Sequence, residues 1–250
     1  MDLSVGTRTE TGPRKMNQDH FGSWPDLGLY VVADGMGGHN AGEVASHLAV
    51  ETIYQFVAES ARTADLTWPF GLEVARSIDL NRLTTAVRLA NRRIYEEGSK
   101  HAELSGMGTT VVAALVAGER MMLASVGDSR IYRYRNGSLE QLTQDDTWLN
   151  SVLGAKQAED ADASHPLRHV LTSVVGTRDD VKPGAREERL LPGDTFVLCT
   201  DGVHGRLDNA AFVAVLAGDS NSEQRAAQLV DEALTRGTSD NATALVITIS

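Results

Sequence analysis

Leu29-Tyr30-Val31-Val32-Ala33-Asp34-Gly35-Met36-Gly37-Gly38-His39 decides how this chain folds. An apolar, β-prone run ends in an aspartate, and three of the next four residues are glycines. Tyr30, Val31, Val32 and Ala33 leave no polar face, so the strand must be covered on both sides. A carboxylate at the exit of such a strand sits at the lip of a core on a stiff support. Gly35 and the Gly37-Gly38 pair let backbone approach whatever that carboxylate holds. Asp-Gly is also a common turn signal, so this stretch alone supports an ordinary turn as well as a site.

Outward from that strand, the periods alternate. Residues 3–9 and 20–23 read as strands on the N-terminal side. From His39 to about Ser60 apolar residues recur every three and four positions, which makes a helix stripe, and Asn40 is placed to cap it. A second helix is expected from an Asp79 cap to about Glu97, with Leu80, Leu83, Val87, Ala90 and Ile94 on one face and Gly98 ending it. Asn91 and Arg92-Arg93 near that face read as core polar contacts and helix surface. Trp68-Pro69-Phe70 reads as the cover of a core edge.

Beyond residue 106 the period becomes that of strands. Gly108 to Ala117, Arg120 to Val126 and Ile131 to Arg135 are joined by tight turns, an antiparallel meander rather than βαβ winding. Residues 144–182 break the pattern and read as a flap, with short helical patches at 148–153 and 167–175. Strands at 186–191, 195–200 and 242–249 follow. Two helices lie between the last two of these, at 209–217 with an Asp208 cap and at 222–234. No repeat or linker interrupts the 250 residues, so one domain is the economical organisation.

Composition narrows the function. With 42% hydrophobic and 23% charged residues the chain has the makeup of a soluble globular domain. No run of apolar residues is long enough for a membrane span, and the first residues lack the pattern of a secretion signal. Cys199 is the single cysteine, which excludes an internal disulfide and fits a reducing compartment. These features predict a cytoplasmic protein without a membrane partner. The formal net charge is −11, and no Lys/Arg block offers a nucleic-acid footprint.

Four aspartates share one grammar. Asp34, Asp128 and Asp201 follow apolar strands and sit in turns, and Asp240 immediately precedes a strand. Converging carboxylates repel unless cations neutralise them. Oxygen ligands suit Mg²⁺ or Mn²⁺, and no Cys/His set has zinc spacing. His165 and His169, four apart, read as flap surface. Two such ions can acidify water and clamp a displacement at phosphorus. Arg14 offers a planar, permanently charged fork for phosphoryl oxygens.

In this order, six segments resemble the motifs of the metal-dependent protein phosphatases, the type 2C serine/threonine phosphatases. They are Arg14-Lys15-Met16-Asn17-Gln18-Asp19, Asp34-Gly35-Met36-Gly37-Gly38-His39, Gly108-Thr109-Thr110, Val126-Gly127-Asp128-Ser129-Arg130, Asp201-Gly202 and Asp240-Asn241. The likeness spans residues 4–249. It implies an α+β fold, a four-layer α-β-β-α sandwich with two central antiparallel sheets. It implies a catalytic domain over residues 1–250 with a flap at about 144–182 and no anchor or sensor module. Asp34 is expected to bridge two ions, with the Gly35 carbonyl on the first, and Asp201 and Asp240 on the second. Asp19 is expected to hold a metal ion through water, and Asp128 with Asp201 to hold a third. Arg14 matches the phosphate-binding arginine, and Gly108-Thr109-Thr110 is expected to be structural.

The activity implied is hydrolysis of phosphoserine and phosphothreonine by a metal-bridging hydroxide, with Mg²⁺ or Mn²⁺, two or three ions, as cofactor. Phosphoproteins are the implied substrates and a serine/threonine kinase the implied counterpart. Two departures stand out. Met36 replaces a histidine proposed as general acid in many eukaryotic-type members, so no acid is assigned and His39 is only a candidate. Asp145-Asp146 replaces a frequent Asp-His, which leaves the contacts of the flap hinge open. A metal-binding but inactive phosphoprotein reader, and a two-metal hydrolase of nucleotides, are the alternatives.

Overall fold

A computed structural model describes residues 2–38, 41–63, 67–153, 167 and 170–250. Two antiparallel sheets form its centre. One has five strands in the order β1 (Leu3–Glu10), β11 (Ala242–Ile249), β10 (Thr195–Cys199), β7 (Arg130–Arg135), β8 (Ser138–Gln141). The other has six strands. Five run in the order β2 (Asp19–Trp24), β3 (Leu29–Met36), β5 (Val111–Ala117), β6 (Arg120–Val126), β9 (Gly184–Arg189), and the two-residue β4 (Gly108–Thr109) pairs with the end of β3. Helices α1 (Ala41–Arg62) and α2 (Ile78–Lys100) cover the six-stranded sheet. Helices α4 (Asp201–His204), α5 (Asn209–Leu216) and α6 (Ser222–Thr235) cover the five-stranded one, while α3 (Trp148–Leu153) lies in the flap.

The absence of a polar face on β3 now has its cause. Leu29, Val31 and Ala33 pack under α1 and α2. Tyr30 and Val32 point the other way and meet Phe196, Leu198, Leu245 and Ile247 between the sheets. A strand sandwiched between a helix layer and a second sheet has two dry faces, so its residues alternate between two cores rather than between core and water. The α-β-β-α layering expected from the sequence is the architecture observed.

Several local expectations are corrected. Ser77 caps α2, its hydroxyl accepting from the Leu80 amide at 3.2 Å, and Asp79 sits in the first turn. Gly98 does not end that helix, which runs on to Lys100. The strand expected from Gly108 to Ala117 is split at Thr110, whose amide turns to the Asp34 carbonyl. Residues 170–175 are not helical; single bridges Thr147–Leu171 and Thr109–Val175 tie them to the flap base and to β4. Asp208 caps α5 as expected, accepting from Ala211 at 2.8 Å. Asn91 is the satisfied core polar residue foreseen: its Oδ1 accepts from Gly176 and its Nδ2 donates to the Arg178 carbonyl. That latches the return leg of the flap to α2. The calls on His39, Asn40, His165 and His169 lie outside the described residues.

Candidate active site

The motifs meet in one cavity of about 440 Å³. Its lining is Arg14, Gln18, Asp34, Gly35, Met36, Gly37, Thr110, Asp128, Leu171, Asp201 and Asp240. Four aspartates widely separated in sequence thus share a single opening, with Arg14 at its edge. Asp19 lies behind them, 7% exposed, directly across the β2–β3 ladder from Asp34.

Asp34 is not in a turn, contrary to the sequence expectation. β3 continues through it to Met36 because Gly35 and Met36 pair with Thr109 and Gly108. Its backbone is held from both directions. The Asp34 amide donates to Thr110 Oγ1 at 3.1 Å, and its carbonyl accepts from the Thr110 amide and the Thr109 hydroxyl, each at 2.8 Å. The structural role expected of Gly108-Thr109-Thr110 has this concrete form. Gly35 permits it: a Cβ there would stand 2.0 Å from the Gly42 carbonyl oxygen in the first turn of α1.

Asp128 sits in the turn between β6 and β7, as read from the sequence. Gly127 before it has φ +96°, a conformation that suits glycine. Asp201 is the first residue of the short helix α4, a helix start where the sequence suggested a turn. Asp240 precedes β11, and both its oxygens are engaged. Oδ2 accepts from Arg14 Nη2 at 2.7 Å and Oδ1 from the Asn241 amide at 2.9 Å. Arg14 also donates through Nε to the Ser239 carbonyl at 2.9 Å, so the guanidinium is oriented by two anchors.

Sequence reasoning missed the groups that hold these residues. Thr200 and Thr243 donate their hydroxyls to Asp19 Oδ2 at 2.9 and 2.7 Å. Asn241 accepts from the Gln18 amide and donates to the Thr11 and Met16 carbonyls, which ties the Arg14 loop to the start of β11. The Asp-Asn pair at 240–241 was the only visible signal. The hinge question left by Asp145-Asp146 is resolved. Asp145 forms a two-point ion pair with Arg130, 3.0 Å to Nε and 2.8 Å to Nη2. Asp146 accepts from the Gly127 amide at 3.0 Å and donates its own amide to the Gly127 carbonyl at 2.8 Å.

The electrostatics are those of a crowded acidic cluster, offset at Asp240 by the Arg14 ion pair. Burial, and then the charges of Asp19, Asp201, Asp128 and Asp240, push the Asp34 carboxyl well above the usual carboxylate range. Burial pushes Asp19 up to about 7 against the two threonine hydrogen bonds, and pushes Asp128 up to about 7 with Asp201 adding to it. Asp19 Oδ1 is buried without a hydrogen-bond partner. Among the described residues no group of three or more His, Cys, Asp or Glu side chains is already arranged to hold a metal ion. The donor set nonetheless fits hard divalent ions: it is all oxygen, its charges are mutually repelling, and one buried carboxylate oxygen awaits a positive neighbour. Low-dielectric repulsion of this kind is relieved by a cation or by protons.

Four similarities to known proteins bear on this geometry. Residues 13–236 match the family model described as Protein phosphatase 2C. The serine/threonine phosphatase stp of Listeria monocytogenes is 31% identical over 245 residues, which cover 96% of this chain and 93% of that protein. A serine/threonine phosphatase structure from S. agalactiae superimposes with a TM-score of 0.87 at 30% identity, over 100% of both chains. The catalytic domain of the serine/threonine protein phosphatase PstP, solved with two manganese ions, gives a TM-score of 0.81 at 30% identity over 99% of each chain.

Proposed function

The chain belongs to the protein phosphatase 2C family, and from that premise we propose that its aspartate-lined cavity removes phosphate from phosphoserine and phosphothreonine in proteins. It is a metal-dependent serine/threonine phosphatase of bacterial type. The convergence of Asp34, Asp128, Asp201 and Asp240 with Arg14 on one opening is the observation that carries the reading. In it, Asp34, the Gly35 carbonyl, Asp201 and Asp240 would hold two ions, Mg²⁺ or Mn²⁺, Asp128 and Asp201 would hold a third, and Asp19 would act through water. Bound there, such ions supply Lewis-acid charge for the phosphoryl oxygens and lower the pKa of water.

The chain's own residues do the remainder. Arg14 presents a fixed guanidinium at the cavity edge, where phosphoryl oxygens take parallel N–H bonds. The stiffness of β3 fixes Asp34 relative to Arg14, so the phosphoryl group is oriented before reaction. Neither Met36 nor Leu171 in the lining can donate a proton to the leaving alkoxide. No protein residue is assigned as acid. The nucleophile is water, and no covalent phosphoenzyme forms.

We take residues 1–250 as one catalytic domain with the flap at about 144–182, located in the cytoplasm and opposed by a serine/threonine kinase. Among the described residues no helix is long and apolar enough to cross a membrane. The test compares Mn²⁺-dependent phosphate release from a phosphothreonine peptide and from a nucleotide. Peptide turnover at least tenfold faster supports the reading. Preference for the nucleotide transfers the cavity to the two-metal nucleotide hydrolases, and metal binding without release from either makes it a phosphoprotein reader.

A further inference from the structure

Asp128 is carried by a loop, so something other than strand pairing must fix it against Asp201. Part of the answer is His204. Its Nε2 stands 3.0 Å from the Asp128 carbonyl oxygen. A carbonyl only accepts, so Nε2 carries the proton and donates. His204 is the last residue of α4, and Asp201 is the first. A four-residue helix therefore bears a cavity carboxylate at one end and, at the other, a grip on the backbone of a second carboxylate.

From the flap side, Asp146 holds Gly127 through two hydrogen bonds, and Ser129 shares a 2.7 Å contact with the Thr110 hydroxyl. The loop is thus clamped on successive residues, with His204 acting on the one that bears the carboxylate. Asp128 and Asp201 line the same cavity, so the pair are electrostatic neighbours. Left to themselves, two such charges move apart. A clamp built during folding sets their separation before any ion arrives, which is how outer partners tune a metal site.

We propose that His204 is a positioning residue: by donating to the Asp128 carbonyl it fixes the Asp128–Asp201 separation and thereby the affinity for the divalent ion these two carboxylates share. The inference rests on the proposed reading of Asp128 and Asp201 as ligands. It assigns His204 no contact with substrate or reacting atoms.

The experiment is Mn²⁺ binding by calorimetry without substrate, together with the Mn²⁺ dependence of phosphopeptide turnover, on the wild type, His204→Ala, His204→Gln and Asp128→Asn. His204→Ala raises the Kd of the Mn²⁺ site assigned to Asp128 and Asp201, and the half-saturating Mn²⁺ concentration, roughly tenfold. The KM for peptide at saturating Mn²⁺ stays within about twofold, because substrate binding is untouched. His204→Gln, whose amide can reach the same carbonyl, restores Mn²⁺ binding to near the wild type. Where alanine leaves too little folded protein, His204→Asn takes its place, since the shorter amide falls short of the carbonyl. The proposal is overturned if Mn²⁺ binding is unchanged in His204→Ala, or if glutamine does no better than alanine. Asp128→Asn separates the two levels: unchanged Mn²⁺ binding there removes Asp128 as a ligand, whereas loss there with normal binding in His204→Ala removes only the role of His204.

Discussion

Asp34 and Asp128 reach the same cavity by opposite means. Asp34 is built into a strand paired with β2 at its own position and with β4 directly beyond it. Asp128 hangs from a loop held by a few contacts, two hydrogen bonds from the flap and one each from the β4–β5 junction and α4. The first arrangement shares its constraints among many ladder bonds, so no one of them is decisive. The second concentrates them in a few side chains, each of which can be removed alone. Stiffness is placed where one carboxylate is assigned two ions, and adjustability where the site borders the flap.

The largest effect follows from Asp34, the carboxylate proposed to serve two ions. Asp34→Asn lowers phosphopeptide turnover at least about a thousandfold, a loss of the size expected when a group central to transition-state charge is removed. Asp128→Asn shifts the Mn²⁺ requirement upward and lowers turnover by a smaller factor, about 10–100-fold, because Asp128 is assigned to one ion and Asp34 to two. The metal-free Asp34→Asn protein melts at a higher temperature than wild type, because a carboxyl pushed well above its ordinary range by burial and like charges is replaced by a neutral amide. Equal turnover losses at the two positions would erase the distinction between them.

Glycines extend the comparison to folding. Alanine at Gly35 meets the Gly42 carbonyl, a backbone atom at 2.0 Å, and must displace the start of α1 from β3. About 3 kcal/mol of stability is lost. Alanine at Gly127 meets the Thr110 side chain at 2.7 Å in a left-handed backbone and costs about 1–2 kcal/mol. Urea denaturation of both variants checks the order. A reversed order would mean that the strand end yields more readily than the loop.

Protons supply the next comparison. Asp19 and Asp128 have folded-state values near 7, above the ordinary carboxylate value. The folded metal-free state therefore holds protons that the unfolded chain releases. That contribution to stability is fully present below about pH 4 and is lost as pH rises through about 7. In EDTA, wild type should lose more stability between pH 5 and 7.5 than Asp19→Asn does. Divalent ions replace the protons, so the Mn²⁺-induced rise in Tm is larger at pH 7.5 than at pH 5. Parallel pH profiles for the two proteins would show that the Asp19 carboxyl is ionised throughout.

The same contrast explains what was legible in the sequence. β3 announces itself because two dry faces require an unbroken apolar run, and the motif order supplied all four cavity aspartates and Arg14. The supports of those residues left no local trace. Thr200 and Thr243 meet Asp19 across 181 and 224 residues, and a threonine in a strand has an ordinary packing use. His204 lies outside the six motif segments and outside any zinc-like spacing, so nothing local marked it. Asp34 was placed in a turn because Asp-Gly is a strong local turn signal, and the pairing with Gly108-Thr109 that overrides it is long-range. Ser77 and Asp79 are both good caps two residues apart, a choice that local propensity does not settle.

The smallest effect sharpens the contrast most directly. Asp146→Ala removes the carboxylate that accepts from the Gly127 amide and leaves that N–H without its partner. About 1 kcal/mol of stability is expected to go with it. Because the constraint is local, the consequence should be too. Hydrogen exchange quickens at residues 127–129 and 144–153, where the loop and flap base lose their shared tie, while amides of β3 keep their protection. Should faster exchange spread into β3, the strand and the loop would belong to one cooperative unit. Asp34 could then no longer be regarded as held independently of the flap, and the division between a stiff and an adjustable half of the site would fail.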